Sequence, residues 1–306
     1  MKRCIIQLIK QSVNTSSFEV IVVSDGPDQQ TQAMVEEIAE KGIIHLKFIA
    51  PDSKNGPAYA RNIGWLAAKG ELIAFTDDDC LPNEDWLKTI LENYGGEELI
   101  AYSGHTIVPI SKRPHDFELN TAKLQDADFI TANCACTKKA LIEIGGFDMR
   151  FKLAWREDSD LEFKLIERQI PIVKLDKAYV VHPVRRFPWA VSIKEQRKVI
   201  YDALLFKKYP KLYRQKISKH TAWNYYLVLL FTLSFIYGSL YSLPYLAAAS
   251  LCIVLALIVN FAWKRTKNAD RSFKHIIEML VTSLVIPYVA IYWKTYGALK
   301  FRVLLL

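Results

Sequence analysis

Long apolar runs without charges occur only in the last third of this 306-residue chain. Two of them, at 223–241 and 244–263, are each about as long as the roughly 20 residues that a helix needs to cross a bilayer core. A third, at 276–293, contains an acidic residue and a proline, which leaves its crossing open. The sequence therefore predicts a membrane domain over 221–306 and a different environment for the residues before it.

Basic residues crowd at the edges of these apolar runs and account for much of the net charge of +8. Because the clusters at 185–219 and 264–274 flank apolar segments, they favour contact with anionic membrane lipids over nucleic acid. The segment 186–220, in which Lys and Arg alternate with aromatic residues, is typical of a helix lying on headgroups. Both clusters are expected on the cytoplasmic side, which predicts a multi-pass membrane protein whose domain 1–185 is cytoplasmic.

Residues 1–185 alternate short apolar strands with amphipathic helices. The run Phe18–Val23 is rich in β-branched residues and ends in turn chemistry, as a buried parallel strand does. This alternation predicts an α/β fold with a Rossmann-like mixed, largely parallel sheet covered by helices on both faces. Ligands of such sheets bind beyond the carboxyl ends of the strands, so polar residues directly after strands are the candidate site residues.

Three consecutive acids, Asp77, Asp78 and Asp79, follow the strand Leu72–Thr76. Adjacent carboxylates repel one another, and residues two apart in an extended chain point the same way, so the first and third acids converge. A divalent cation would relieve that repulsion, and oxygen ligands suit Mg²⁺ or Mn²⁺. The alternative is an acidic turn that caps the next helix at Asp85.

A second acidic group, with Glu157, Asp158 and Asp160, follows Trp155 and opens a helix of apolar periodicity. Acids in a first helical turn also satisfy free N–H groups and the helix dipole, so capping alone is an alternative. The pairing of this group with the acids about eighty residues earlier favours a functional role.

Several motifs in a fixed order resemble glycosyltransferase family 2, and the resemblance covers about Arg3 to His182. The segments that carry it are Phe18–Asp25, Gly56–Gly64, Thr76–Cys80, Ala132-Asn133, Gly145–Asp148 and Glu157–Leu161. The resemblance implies a GT-A fold, a nucleoside-diphosphate sugar donor that is usually UDP-linked, and inversion at the anomeric carbon.

The resemblance also implies roles for single residues, and we adopt them as expectations. Asp158 is expected to be the general base. The expected donor-binding residues are Asp25, Arg61, Asp77 and Asp78. The expected metal ligands are Asp79, Asp77 and His182, although a lone histidine is more often structural. The residues expected on the acceptor side or supporting the site are Asn133, Trp155, Glu157 and Asp160.

These features together predict a transferase that moves a sugar to a lipid-linked or glycan acceptor at the membrane face. Two alternatives remain open at this point. One is a non-catalytic membrane protein that kept the fold, since fold alone does not establish function. The other is a sugar nucleotidyltransferase, although its Gly-rich phosphate loop is not visible and a membrane hairpin is unexpected for it.

The start of the chain departs from the family pattern. Members of the family begin with a strand and a Pro-Thr-Tyr-Asn-like loop before the helix that here begins near Arg3. We therefore expect the working protein to have about 10 to 20 further residues upstream, the usual length of one strand and its connection.

Overall fold

The computed structural model describes residues 1–218 and 222–304. Lys219 and His220, which close the predicted basic segment, lie outside the described residues, as do both ends of the predicted membrane domain.

The chain divides into two compact units. Unit 1 comprises residues 1–109 and 122–184, and unit 2 comprises residues 110–121 and everything from Arg185 onward. The excursion 110–121 was expected to belong with the catalytic domain, and the structure assigns it to unit 2 instead.

The helices and strands of unit 1 alternate along most of its length. In chain order they are α1 (Lys2–Ile9), β1 (Glu19–Val23), α2 (Gln29–Ala39), β2 (His45–Ile49), α3 (Pro57–Ala67), β3 (Leu72–Thr76), β4 (Leu81–Pro82), α4 (Trp86–Glu92), β5 (Ala101–Ile107), β6 (Asn133–Thr137), α6 (Lys138–Glu143), α7 (Glu157–Glu167) and β7 (Ile172–Val181), with α5 (Asp116–Ala122) crossing from unit 2 back into unit 1.

The strands of the described residues form two sheets. β1 and β2 make a parallel pair, and the larger sheet has the order β3-β6-β5-β7-β4. In the larger sheet only β5 and β7 run parallel, and its other three pairings are antiparallel. The expected α/β class and mixed sheet are confirmed, but the expectation of a largely parallel sheet is wrong for this larger sheet.

The reason for that error lies in two strands that sequence reasoning did not identify. β4 has only two residues and follows β3 through a tight turn, which reverses the chain without a crossover helix. β5 reads Ala-Tyr-Ser-Gly-His-Thr-Ile, in which the last two residues are the only β-branched ones. Such a strand gives a weak sequence signal, because β propensity comes mainly from β-branched and aromatic side chains.

Alternate residues of the larger sheet pack into two cores on its opposite faces. Ile73 and Phe75 of β3 join one core with Trp65 of α3 and Leu161 of α7. Leu72 and Ala74 pack against the other core, which contains Trp86 and Tyr102. This alternation fixes which way each strand faces, because a slip of one residue would exchange the two cores.

Unit 2 contains the helices of the last third of the chain. They are α8 (Val191–Glu195), α9 (Ile200–Lys208), α10 (Pro210–Leu212), α11 (Trp223–Leu240), α12 (Pro244–Thr266) and α13 (Phe273–Phe301). Among the described residues, α11, α12 and α13 are long and apolar enough to cross a membrane, with mean hydropathies of 1.2, 2.3 and 1.8 over their most apolar stretches.

Helices α11 and α12 form a close-packed hairpin. A Cβ on Gly238 would lie 2.9 Å from the backbone nitrogen of Ala247, so the helices approach closely near the turn that joins them. Farther down, Ser250 Oγ donates to Ser234 Oγ at 2.9 Å. Small residues at such a contact allow the close packing that apolar helices need in lipid.

The predicted interfacial segment is helical, but it is not one continuous helix. It consists of α8, a 3₁₀ turn at Gln196–Val199, α9, the single turn α10 and a π-helical turn at Tyr213–Ile217. Pro210 begins the turn α10, where its missing N–H and fixed φ are tolerated at a helix start.

Candidate active site

The three consecutive acids lie on a tight turn at the end of β3. Cys80 N donates to Asp77 O at 3.0 Å, which closes the turn between β3 and β4. The expectation that Asp77 and Asp79 converge because the chain is extended is therefore wrong in its reason. The turn brings Asp77 and Asp79 toward the same histidine, and it leaves Asp78 exposed.

Strand register brings His182 to this turn. β4 pairs with β7 so that Leu81 lies opposite Val181. His182, which directly follows β7, therefore lies opposite the acidic turn. The backbone N–H of His182 donates to Ile107 O at 2.8 Å, which fixes this end of the sheet. His182 Nε2 lies 3.8 Å from Asp77 Oδ2 and 4.0 Å from Asp79 Oδ1.

The orientation of the His182 ring suits a metal ligand. Its Nδ1 lies 3.3 Å from Pro183 O. A carbonyl oxygen only accepts, so Nδ1 carries a proton and the lone pair of a neutral ring lies on Nε2, toward the acids. Burial alone would lower the pKa of His182, but Asp77 and Asp79 raise it above its usual value.

The donor set at this turn fits Mg²⁺ or Mn²⁺. Two ligands of one such ion stand at most about 4.2 Å apart, since each lies about 2.1 Å from it. His182 Nε2 lies within that limit of one oxygen of Asp77 and of one oxygen of Asp79. The ligand atoms that all lie within 4.8 Å of one another belong to Asp79, Cys80 and His182, and Asp77 stands outside that group. Cys80 also lies within reach of Asp79 and His182. Burial raises the pKa of its thiol, with Asp77 adding to the rise, so a neutral thiol faces the site and the oxygen and imidazole groups are the better ligands.

Arg61 joins the two acidic groups of the sequence. Its Nη2 donates to Asp77 Oδ1 at 2.9 Å, and its Nη1 donates to Glu157 Oε1 at 3.0 Å. Burial would raise the pKa of Asp77, but His182 and Arg61 hold it well below its usual range. The guanidinium of Arg61 thus bridges two carboxylates, and its expected contact with the donor stays a prediction.

Asp158 lies beside this bridge at the start of α7. Its Oδ1 accepts from Ser159 N at 2.7 Å. Burial raises the pKa values of Asp158 and of neighbouring Glu157. A carboxylate whose pKa is raised is a stronger base, which suits the expected role of Asp158.

The residue before α7 has an unusual backbone. Arg156 adopts φ +73°, in the left-handed region that side chains other than glycine seldom occupy. Its guanidinium carbon lies 4.5 Å from the centroid of the Trp155 ring, a cation–π arrangement. Together these features set the direction in which α7 begins, with Arg156 directly before the acids and Trp155 one residue earlier.

Asp25, at the end of β1, organises the loop before α3. Its Oδ1 accepts from Asn55 N at 2.7 Å and from Gly56 N at 2.8 Å. Gly56 has φ +94°, and a Cβ there would lie 2.7 Å from Lys152 O. Glycine is therefore required at this position, which brings the loop after β2 against the segment that precedes α7.

Two predicted residues are buried supports of the site. Asn133 is 1% exposed; its Oδ1 accepts from Trp86 Nε1, and its Nδ2 donates to His105 O and Ala178 O. Of the two roles expected for Asn133, these bonds of a fully enclosed amide favour support of the site over contact with the acceptor. Asp160 is also fully buried, and its Oδ2 lies 3.3 Å from Lys164 Nζ.

Sequence reasoning missed Asn62 and Lys164, which hold the turn Gly145–Asp148. Asn62 Nδ2 donates to Phe147 O at 2.8 Å, and Asn62 Oδ1 accepts from Phe147 N at 2.9 Å. Lys164 Nζ donates to Gly146 O at 2.6 Å. The signal available in the sequence was Asn62 itself, which directly follows Arg61 in the segment Gly56–Gly64.

Comparison with known proteins agrees with this geometry. Glycosyltransferase AglE of Haloferax volcanii is 27% identical over 105 residues, which are 34% of this chain and 34% of the relative. Glucosyl-dolichyl phosphate glucuronosyltransferase of the same organism is 22% identical over 146 residues, 43% of this chain and 46% of the relative. The matches thus span less than half the length of these curated relatives.

A solved structure shows the same fold over nearly the whole chain. Mannosyltransferase PcManGT from Pyrobaculum calidifontis, in complex with GDP-Man and Mn²⁺, matches with a TM-score of 0.59 at 18% identity, covering 98% of this chain and 82% of that one. The expected GT-A fold is confirmed. The family model described as Glycosyl transferase family 2 matches residues 1–157, more than half of the chain, and the chain therefore belongs to that family.

Proposed function

We propose that this chain is an inverting glycosyltransferase that moves a sugar from a nucleoside-diphosphate donor to a lipid-linked or glycan acceptor at a membrane face. The observation that carries the proposal is the Arg61 bridge, which joins Asp77 of the acidic turn to Glu157, the neighbour of Asp158. It links the acidic turn, the candidate cation site, to the start of α7, where the candidate base lies, and neither acidic motif provides this link alone.

In this proposal the residues divide the work of one displacement. Asp158 accepts the proton of the acceptor hydroxyl as that oxygen bonds to the anomeric carbon and the bond to the diphosphate breaks. Asp79, Asp77 and His182 would hold Mg²⁺ or Mn²⁺. The ion, when bound, neutralises charge on the departing diphosphate. Attack and departure on opposite faces of the sugar invert the anomeric carbon, so no covalent enzyme intermediate forms.

A membrane-embedded acceptor is supported by unit 2 and by one relative. The hairpin α11–α12 has the length and hydropathy of a bilayer anchor. One relative is named for a dolichyl phosphate acceptor. We propose that the hairpin crosses the membrane and that the basic residues at its flanks, together with unit 1, lie on the cytoplasmic side.

Donor turnover by purified protein tests this proposal. We expect UDP-sugars to be hydrolysed slowly or transferred in the presence of Mn²⁺, with loss of turnover in EDTA and recovery on adding Mn²⁺. A parallel GDP-sugar series identifies the nucleotide. Binding of donor without turnover by any sugar would favour a non-catalytic protein. Formation of nucleoside-diphosphate sugar from a nucleoside triphosphate would favour a nucleotidyltransferase.

A further inference from the structure

We propose that α13, although long and apolar enough to cross a membrane, lies across the base of the α11–α12 hairpin in the headgroup layer of a phospholipid bilayer. The base is the end at which α11 begins and α12 ends, where the Tyr225 and Phe261 rings are 5.4 Å apart. The tip is the turn around Ser242. This inference rests on the proposed anchoring by the hairpin and goes beyond it.

Contacts in the first half and in the last third of α13 lie at the base. Arg265, near the end of α12, donates from Nη1 to Thr282 Oγ1 at 2.7 Å and to Ser283 Oγ at 3.1 Å. Twelve residues later, Lys294 Nζ lies 5.6 Å from the centroid of the Tyr226 ring, near the start of α11. Twelve helical residues extend about 18 Å. If α13 ran parallel to the hairpin axis, Lys294 would lie about 18 Å closer to the tip than Thr282 does. Instead, Lys294 lies at the base, as Thr282 does.

The middle of α13 reaches only part of the way into the hairpin. Tyr288 Oη lies 2.7 Å from Thr232 Oγ1, in the first half of α11. Pro287 lines a small cavity together with Val228 and Phe261, again close to the base. The contacts of Thr282, Tyr288 and Lys294, taken in order, indicate that α13 crosses the hairpin obliquely and stays near its base.

The basic segment accompanies α13 along its length. Ala190 N donates to Glu278 Oε1 at 2.8 Å near the start of α13. A Cβ on Gly297 would lie 2.8 Å from Ile200 O, and Lys207 Nζ donates to Phe301 O at 2.7 Å near its end. Residues 190–207 therefore run beside α13 from its second turn to its last.

The charges of that segment exclude a position in the hydrocarbon core. It contains Lys194, Arg197, Lys198 and Lys207. A cation is unfavourable in the hydrocarbon core of a bilayer, so each of these side chains disfavours a position there. If α13 crossed the membrane, residues 190–207 would enter the hydrocarbon core with it. The anionic headgroup layer, in contrast, attracts the positive charges of this segment.

The two ends of the outer surface of α13 have the composition of a membrane interface. Phe273 is 79% exposed at the start, and Tyr292 and Leu299 are 59% and 74% exposed near the end, where Lys300 is exposed as well. Aromatic rings and long basic side chains concentrate where apolar and polar layers meet. In addition, 39% of the most apolar stretch of α13 is buried within the protein, against 11% for α11, so α13 offers less surface to lipid tails.

Labelling of single cysteines from each side of the membrane tests the inference. The background is Cys252→Ser, since Cys252 is exposed whereas Cys4, Cys80, Cys134 and Cys136 are buried. The probes are Asn268→Cys between α12 and α13, Leu304→Cys beyond α13, and Ser242→Cys at the tip. Tyr245→Cys, at a position that is 91% exposed, serves as a second probe at the tip. A membrane-impermeant maleimide is applied to spheroplasts and to inverted vesicles of the expressing cells.

We expect positions 268 and 304 to label from the same side and the tip from the opposite side. Labelling of 304 together with the tip would show that α13 crosses and would overturn the inference. Labelling of all positions from one side would show that the hairpin itself does not cross, which overturns the proposed anchoring separately. Mn²⁺-dependent donor turnover by each variant shows that the labelled protein is folded.

Discussion

Both units bury charged side chains, but they balance them differently. In unit 2, Arg265 Nη2 lies 2.7 Å from Asp116 Oδ2, which joins one cationic group to one acid. In unit 1, Lys164 and Asp160 form a pair of the same kind, but the cationic groups at the acidic turn are shared. Arg61 serves both Asp77 and Glu157, and His182 faces both Asp77 and Asp79.

The difference separates a structural cluster from a binding site. Breaking a buried one-to-one pair leaves an uncompensated charge, so such pairs hold helices in place. Carboxylates that share a cation keep part of their negative charge. That charge attracts a metal ion, and it favours removal of the acceptor's proton more than a neutral site would. The predictions below test whether the shared cluster binds and reacts while the paired cluster only stabilises.

The largest effect is expected from Asp79→Ala. Removal of one ligand from a site with few protein ligands should lower turnover by about 10³-fold, because charge on the diphosphate is then poorly neutralised. Calorimetry with UDP and Mn²⁺ should show loss of the metal-dependent part of binding. Asp28→Asn, which changes an acid at the start of α2 away from the site, is the matched control. Unchanged affinity in Asp79→Ala would remove this residue from the metal site.

A smaller loss is expected from Asp158→Asn. The amide keeps the shape of the side chain but does not accept the proton, so transfer should fall by about 10²-fold or more while donor affinity is retained. Steady-state kinetics and donor titration measure the two quantities. Glu167→Gln, at the exposed end of the same helix, should leave both unchanged. Near-normal turnover in Asp158→Asn would leave only helix capping for this residue.

A tenfold effect is expected from pH. The pKa of His182 is raised by Asp77 and Asp79, so below that pKa the ring is protonated and a proton competes with Mn²⁺ for Nε2. Mn²⁺ affinity should therefore increase with rising pH, by up to about tenfold per unit, until the pH exceeds the pKa of His182. Titrations of wild type and His182→Asn between pH 5.5 and 8 test this, and an equal slope in the variant would exclude His182 as the cause.

The smallest effect on activity is expected from Asp116→Asn in unit 2. Loss of the pair with Arg265 should lower the unfolding free energy by about 3 kcal/mol, seen as a lower melting temperature in detergent. Donor and Mn²⁺ affinities should stay within about twofold of wild type. A large loss of Mn²⁺ affinity would contradict the division between the two clusters.

The strands and helices that carry the site were largely predictable from sequence, since their apolar periodicity is strong. The strand Leu72–Thr76 was predicted with the observed bounds, and the second acidic group opens a helix, α7, as expected. The partner of Arg61 was not predictable. Its bond to Glu157 joins positions 96 apart, and no local pattern reveals such a contact. The choice between the two roles expected for Asn133 was not predictable either, because a motif does not show whether an amide faces the solvent or the inside of a sheet.

The Arg61 bridge also has a consequence for the history of the sequence. Arg61 lies on α3 and serves two acids, so its loss leaves both Asp77 and Glu157 without this cation. A joint change of Arg61 and Glu157 to neutral residues still takes the guanidinium away from Asp77. Across related sequences, Arg61 should therefore be retained wherever Asp77 is retained, whereas Glu157 is freer to become neutral.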